Sequence, residues 1–205
     1  MKIVLERAYK HLSNDKIMHF LIDKFQHKID WDNRYNANHA LSIANLIIEQ
    51  QISFKAAITV KKRFSKLTDG KTSEEIIQMT NQELQSIGIS HRKADYIKNV
   101  FNFFNTHQAD LESMTDIDVI DYLSSIKGVG EWTAQMFLIF NLFRNDIFSP
   151  KDLALINSIK KNYSIDKVGK HEIQKLTKSW SPYNSIACLL LWESVENKVF
   201  FSDYN

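Results

Sequence analysis

Apolar residues recur along most of the chain at the three- and four-residue spacing of a helix that buries one face. In residues 38–51 this stripe consists of Ala40, Ile43, Ala44, Ile47 and Ile48. No stretch alternates apolar and polar residues as a half-buried strand would, and no long internal repeat is visible. The sequence therefore predicts an all-α fold. The other predicted helices cover residues 16–27, 53–66, about 91–107, 115 to about 126, the segment after Gly130, 152 to about 163, 168–179 and 182–196.

Helix caps and connections divide this pattern further. The predicted N-caps are Ser53, Ser90 and the capping boxes Thr72 to Glu75 and Thr80 to Glu83, with Gly88 ending the second short helix. We expect one helical domain over residues 1–205, built as two lobes. The predicted connections near residues 28–36 and 107–114 divide it into residues 1–35 with 108–205, and residues 36–107.

Composition narrows the class of protein. The 205 residues include only five glycines and two prolines, which suits a helical fold with few special turns. The single cysteine, Cys188, excludes an intrachain disulfide framework, a four-cysteine zinc site and a four-cysteine iron–sulfur cluster. No apolar run approaches the length of a membrane span, and the start lacks the apolar core of a signal peptide. We expect a cytoplasmic protein, nucleoid-associated if bacterial, with no membrane partner.

Positive charge is concentrated in two stretches, although the formal net charge is only +2. Residues 55–66 carry five cations and no acid, and residues 151–180 carry seven lysines against three acids. Local basic faces on a near-neutral protein indicate an anionic partner bound on one side. A solvated helix face is the alternative for either stretch.

The turn around Val129 is the strongest candidate for chemistry. Gly128 and Gly130 flank it between two predicted helices, which allows a tight turn with positive φ and a close backbone approach. The unpaired amides of such a turn and of the next helix can bind a phosphate oxygen, with help from Lys127. A purely structural helix hairpin is the alternative.

Four segments, in order, resemble the helix–hairpin–helix DNA glycosylase superfamily. They are LIIEQQISFKAA (46–57), LQSIGISHRKADYI (84–97), IKGVGEWTA followed by SPKDLAL, and WSPYNSIACLLLW (180–192). The matches span residues 41–192 and are most similar to the 3-methyladenine DNA glycosylase II type. The resemblance implies two helical lobes around a DNA-binding cleft, in the compact form without a mixed α/β N-terminal domain. Two departures are Glu49, where the family usually has Gly, and Met136, where it often has Tyr.

The resemblance assigns roles to individual residues. Asp152 matches the catalytic aspartate, which stabilises a cationic sugar and orients or deprotonates water after the base is flipped out. Trp132, Met136 and Trp180 match positions that line the base pocket, where an indole face attracts a cationic alkylated base. Trp132 also stands where bifunctional members carry a Schiff-base lysine, so a monofunctional hydrolase without strand cleavage is implied. We expect the remaining tryptophans, Trp31 and Trp192, to belong to the core.

The implied partner is double-stranded DNA with damaged bases, bound by a monomer. Gln51 is the candidate wedge that fills the gap left by the flipped base. The predicted DNA-binding residues are Lys127, Gly128, Val129, Gly130, Gln51, Ser53, Lys55, Arg92, Lys93 and Lys151, with Lys61 as a further candidate. No cofactor is expected, except that the carbonyls of Ser124, Ile126 and Val129 match positions that hold a monovalent cation, Na⁺ or K⁺, in relatives.

Three functions remain open at this stage. The leading one is a monofunctional glycosylase in base excision repair that removes alkylated purines of the 3-methyladenine and 7-methylguanine type. The second is a non-catalytic helix–hairpin–helix module that binds DNA without releasing a base. The third is the same fold acting on another damaged base.

Overall fold

The computed structural model describes residues 2–202, and within that range the regular structure is entirely helical. Its α-helices are α1 (Lys2–Leu12), α2 (Lys16–Phe25), α3 (His39–Glu49), α4 (Phe54–Thr68), α5 (Ser73–Gln78), α6 (Asn81–Ser86), α7 (His91–Thr106), α8 (Asp116–Ser124), α9 (Glu131–Phe140), α10 (Leu153–Asn162), α11 (Lys170–Trp180) and α12 (Asn184–Asn197). A short 3-10 helix covers Gln26–Lys28. The all-α prediction is confirmed. Helix α1 was missing from the prediction, although Ala8 and Leu12 give it a buried edge at helical spacing.

Side-chain caps set most of the helix starts, as the sequence predicted. Ser53 and Ser90 accept hydrogen bonds from backbone amides of α4 and α7. Both capping boxes are present, at the starts of α5 and α6. Gly88 follows α6 with a φ of +99°, a conformation that favours glycine.

The chain divides into two units, and each has its own core. Unit 1 contains the described residues up to Asn33 and those from Phe143 onward. Its helix α12 packs against α1, α2, α10 and α11, and Met18, Leu21, Ile159 and Leu190 are fully buried there. None of the helices within residues 2–202 is long and apolar enough to span a bilayer.

Unit 2 is Arg34–Leu142 and contains α3 to α9. Helix α3 packs against α4, α7 and α9, while α5 and α6 pack on α7 and α8 packs on α9. Ile43, Ile47, Ile97 and Phe137 form the centre of its core and are fully buried. The predicted connection near 28–36 agrees with these units, but the second boundary at residue 108 was wrong. Helices α8 and α9 belong to unit 2, because α9 packs on α3.

Candidate active site

Unit 2 contains a hairpin of two helices, formed by α8, residues 125–130 and α9. The amide of Val129 donates to the carbonyl of Ile126 at 2.9 Å and closes the turn. Gly128 has a φ of +107°, and a Cβ built on it would lie 2.2 Å from Cγ of Tyr96. The turn therefore requires glycine at position 128, for its backbone conformation and for its lack of a side chain.

Gly130 has a different role from the one the sequence suggested. Its φ is −106°, so no positive φ is needed, and a Cβ there would meet nothing within 4 Å. It is the N-cap of α9, and it provides no capping side chain. No side chain therefore caps the first backbone amides of α9. These amides, at the positive end of the helix dipole, suit contact with an anion.

Two amides from neighbouring helices hold the hairpin in place. Gln50 Nε2 donates to Thr133 Oγ1 at 3.0 Å and to the carbonyl of Gly128 at 3.3 Å. Asn99 Nδ2 donates to the carbonyl of Lys127 at 3.2 Å. Sequence reasoning missed both, since the partners are separated by 83, 78 and 28 residues in the chain. These bonds fix the turn relative to α3 and α7.

The loop between α3 and α4 carries the candidate wedge. Gln51 is exposed and has a φ of +57°, which is rare for a residue with a side chain. The hydroxyl of Ser53 accepts the amide of Ala56 at 3.3 Å, so the predicted DNA-binding serine is also the N-cap of α4.

Lys93, on α7, binds the start of this loop. Its Nζ donates to the carbonyls of Ile48 and Gln50, at 2.9 and 2.6 Å. Burial lowers its pKa. In this structure the ammonium of Lys93 binds carbonyls at the end of α3, and its contact with DNA stays a prediction. These bonds hold the end of α3 and the start of the following loop against α7.

The structure also explains Glu49. Its carboxylate pairs with Arg34 and with Lys61, both at 2.5 Å, and all three side chains are largely buried. The Arg34 guanidinium also lies over the ring of Phe140, 3.8 Å from the centroid. The acid is therefore neutralised within unit 2, and Lys61 serves this pair rather than acting as an isolated phosphate-binding cation.

Asp152 is the N-cap of α10 in unit 1, one position before the first turn where the sequence placed it. Its Oδ1 accepts the amide of Leu155 at 2.9 Å and is 3.4 Å from the indole Nε1 of Trp192. The side chain is buried, with 8% exposed. Burial, followed by the charge of Asp152, raises the pKa of the Cys188 thiol well above its ordinary value. The carboxylate is thus fixed in one orientation, beside a thiol that stays neutral.

The four tryptophans, predicted as two pocket and two core residues, differ in burial. Trp31 is buried in the core as expected. Trp192 is half-buried and contacts Asp152, so it supports the candidate catalytic group. Trp132 is half-buried in the first turn of α9.

Trp180 has no exposed surface, and its indole Nε1 is 3.4 Å from Asp15 Oδ2. Tyr163 donates to the same oxygen at 2.7 Å. A base could therefore reach Trp180 only if its surroundings moved, and in this conformation it belongs to the core of unit 1. Met136 is also buried, with 2% exposed, and its pocket role stays a prediction.

The other predicted site residues lie at the surface or in the hairpin. Lys55, Arg92 and Lys127 are exposed in unit 2, and Lys151 is exposed in unit 1, next to Asp152. Among the predicted cation ligands, Ser124 ends α8, and Ile126 and Val129 are buried in the turn. Within residues 2–202, no group of three histidine, cysteine or acidic residues could hold a metal ion.

The glycine hairpin with a bare helix start, and the helix-capping aspartate after a Ser-Pro-Lys segment, are the features that the resemblance to helix–hairpin–helix glycosylases implied. The comparison with protein families agrees, because residues 44–182 match the HhH-GPD superfamily of base excision DNA repair proteins. The chain belongs to this family.

Individual relatives share most of the chain. YfjP of Bacillus subtilis is 33% identical over 162 residues, which is 73% of this chain and 56% of YfjP. DNA-3-methyladenine glycosylase 1 of Schizosaccharomyces pombe is 28% identical over 72% of this chain and 68% of its own length. The chain thus spans between about half and two thirds of these relatives.

Solved structures give the same fold. A DNA-3-methyladenine glycosidase from Bacillus halodurans has a TM-score of 0.66 at 33% identity, covering 81% of this chain and 80% of that one. The S. pombe 3-methyladenine DNA glycosylase Mag1, solved in complex with abasic DNA, has a TM-score of 0.81 at 24% identity. This match covers 97% of this chain and 99% of Mag1, and it supports the shared fold.

Proposed function

We propose that this protein is a monofunctional DNA glycosylase that removes alkylated purines from double-stranded DNA. The observation that carries the proposal is the geometry of Asp152, a buried carboxylate held by the amide of Leu155 and close to the indole of Trp192. Relatives named as 3-methyladenine glycosylases support the substrate class.

The reaction that Asp152 would promote is hydrolysis of the bond between C1′ and the base nitrogen. As that bond breaks, positive charge develops on the sugar, and a fixed carboxylate stabilises it without having to reorganise. The same carboxylate orients or deprotonates the water that attacks C1′. Water supplies the hydroxyl group at C1′, and the base leaves with the electron pair of the broken bond.

An alkylated purine needs little further help from the protein. Alkylation at a ring nitrogen gives the base a positive charge, and bond breakage neutralises it, so the base is already a good leaving group. The indole of Trp132 would attract such a base by cation–π and stacking contacts, worth about 1–2 kcal/mol. Selection of the damaged base would then depend on this attraction more than on acid catalysis.

The absence of lyase activity rests on the sequence of α9, EWTAQMFLIF, which contains no lysine. A bifunctional enzyme needs an amine that attacks C1′ and forms a Schiff base. With Trp132 at that position, we expect the product to be an intact strand with an abasic site.

The hairpin would anchor the protein on DNA. Phosphate oxygens can accept from the backbone amides around Gly128 and Gly130, with Lys127 adding positive charge within the turn. Lys55, exposed in the first turn of α4, is a further candidate contact. Because these contacts release counterions, binding should weaken steeply with added salt. We expect a single copy of the chain to suffice for binding.

A monovalent cation is part of the proposal for the hairpin. The carbonyls of Ser124, Ile126 and Val129 are the proposed ligands, and neutral oxygens of this kind suit Na⁺ or K⁺. The Ile126 carbonyl accepts the Val129 amide at 2.9 Å, and its second lone pair could face an ion. DNA affinity measured in K⁺, Na⁺ and tetramethylammonium at equal ionic strength tests this, and equal affinity in all three would contradict it.

The decisive experiment measures release of free base from methylated duplex DNA by the wild-type protein and by Asp152→Asn. Asparagine retains an oxygen that can accept the Leu155 amide, so the variant should fold and bind DNA. We expect wild type to release alkylpurines and leave uncleaved strands, and Asp152→Asn to lose at least about 100-fold in rate. Asp166→Asn, a change of an exposed acid in the same unit, serves as the charge control.

Two outcomes would contradict the proposal. Wild-type protein that binds DNA with a steep salt dependence but releases no base would be a non-catalytic module. Release of deaminated or oxidised bases in place of alkylpurines would keep the chemistry and change the substrate.

A further inference from the structure

A polar cleft lies beside the hairpin in unit 2, with a volume of about 470 Å³. Its lining comes from one face and edge of α7 and from the hairpin, namely Arg92, Asp95, Tyr96, Lys98, Asn99 and Lys127. Arg92, Tyr96 and Asn99 are spaced three and four residues apart, so they share one face of α7. The distance along the helix from Arg92 to Asn99 is about 10 Å, long enough for more than a single small ion.

The charge of this cleft favours an anion. Three cations, Arg92, Lys98 and Lys127, face one acid, Asp95. The carboxylate of Asp95 is partly occupied by other groups. Its Oδ1 accepts from Asn81 at 2.7 Å, and its Oδ2 lies 3.8 Å from His91 Nε2. Within residues 2–202, the side chains of Arg92 and Lys127 make no hydrogen bond or ion pair. Lys98 also lies within electrostatic reach of Glu83, whose pKa it helps to lower. Arg92 and Lys127 are therefore the cations of the cleft that no other part of the described chain uses.

Two residues that line the cleft also contact the hairpin. Asn99 donates to the carbonyl of Lys127, and the ring of Tyr96 packs against Gly128. With one side of its ring turned to the glycine, Tyr96 forms a wall of the cleft. The rest of the lining is polar and offers no second aromatic surface for a base. A sugar–phosphate unit fits this lining better than a nucleobase does.

We infer that this cleft binds the DNA backbone next to the phosphate held by the hairpin amides, with Lys98 as a DNA-binding residue. The inference rests on the proposed function only in requiring that the hairpin binds DNA. It adds a second phosphate subsite, in which Lys98 and Arg92 on α7 and Lys127 on the turn surround the same stretch of backbone. Because the contacts go to phosphate and sugar, the subsite should be indifferent to base sequence.

The test neutralises DNA phosphates one at a time by methylphosphonate substitution and measures Kd. It uses duplexes containing an abasic-site analogue, with three proteins: wild type, Lys98→Gln and Lys10→Gln. Lys10 is an exposed lysine of unit 1, so its variant removes the same charge away from the cleft. Thermal unfolding of each variant confirms that it is folded.

For wild type and Lys10→Gln, we expect two phosphate positions at which neutralisation weakens binding, each by about 3- to 10-fold. Lys98→Gln should lose sensitivity at one of them and keep it at the other, which the hairpin amides contact. Its plot of log K against log salt should be shallower by about 0.9, the value for one lost phosphate contact.

Identical phosphate profiles for wild type and Lys98→Gln would overturn the inference. So would a Lys98-dependent competition by inorganic phosphate that no backbone position reproduces, since the cleft would then be a site for a free anion. Base release by wild type is measured in parallel. Absence of base release with the two-phosphate profile intact would refute the glycosylase proposal but not the inference about the cleft. Base release with identical profiles for wild type and Lys98→Gln would refute the inference about the cleft but not the glycosylase proposal.

Discussion

The ring of Tyr96 occupies the space into which any side chain at position 128 would project. An ideal Cβ on Gly128 would lie 2.2, 2.5 and 2.6 Å from three carbon atoms of Tyr96, closer than real contacts allow. Position 128 also has a positive φ. The backbone of Gly128 is thus packed directly against the side chain of Tyr96 on α7.

Gly128→Ala should therefore damage the fold of the hairpin. The left-handed backbone and the overpacking against Tyr96 should together lower the free energy of unfolding by ~2–4 kcal/mol. Gly130→Ala is the matched control, since its Cβ would enter open space and its φ is negative. It should cost less than about 1 kcal/mol, yet weaken DNA binding by placing a methyl group where a phosphate approaches. Denaturant unfolding and DNA titration measure both effects, and equal destabilisation by the two changes would contradict this account.

Gln50→Ala should loosen the hairpin, although Gln50 is not among the predicted DNA-binding residues. The change removes donors to Thr133 and to the Gly128 carbonyl, which should cost ~1–2 kcal/mol of stability. DNA affinity should fall as well, because the hairpin amides lose their fixed position. Hydrogen exchange of the amides in residues 125–130 should speed up in the variant. Unchanged exchange there would show that Gln50 does not position the turn.

Gln51→Gly should separate stability from function at the neighbouring position. Glycine accepts the φ of +57° without strain, so the folded state should be unchanged or up to about 1 kcal/mol more stable. If the amide side chain fills the gap left by the flipped base, base release should nevertheless fall. Single-turnover rates and unfolding curves on the same preparation test this. A variant as active as wild type would exclude Gln51 as the wedge.

Tyr9 provides a prediction for the pH dependence of stability. Its hydroxyl is buried without a hydrogen-bond partner, and burial raises its pKa to about 12. The unfolded chain therefore loses this proton first, so stability falls as pH rises from about 10 through 12. Tyr9→Phe should lack this part of the decline and be up to about 1 kcal/mol more stable at pH 7. Chemical unfolding of both proteins between pH 8 and pH 11 measures the difference, and parallel curves would contradict it.

Helix starts were predictable from the sequence because capping is local. Thr72 and Glu75, or Thr80 and Glu83, are three residues apart, and both boxes form as predicted. Gly128 was predictable for the same reason, since a glycine between two helices indicates a special turn. The second lobe boundary was not, because it depends on α9 packing against α3.

Long-range partners account for most of what the sequence did not reveal about the site. Trp192 was assigned to the core, but it meets Asp152 from 40 residues away. Lys93 was predicted to bind DNA, and it lies in the segment 84–97 that resembles the glycosylase superfamily. Its ammonium bonds carbonyls 45 and 43 residues earlier, and only the packing of α7 on α3 brings these together. Glu49 had no explanation until Arg34 and Lys61 were placed beside it.

The dual use of Asp152 has a consequence for how this family can diverge. The atom that caps α10 is part of the carboxylate proposed to carry the chemistry, so selection for a stable fold and for repair acts on one side chain. A descendant that gave up catalysis could not accept any residue there. Serine, threonine or asparagine would keep α10 capped and leave an intact DNA-binding scaffold, whereas alanine would remove the cap at a cost of ~1 kcal/mol. The residue at this position in a relative should therefore distinguish a protein that has lost catalysis but still folds and binds DNA from one whose fold is destabilised.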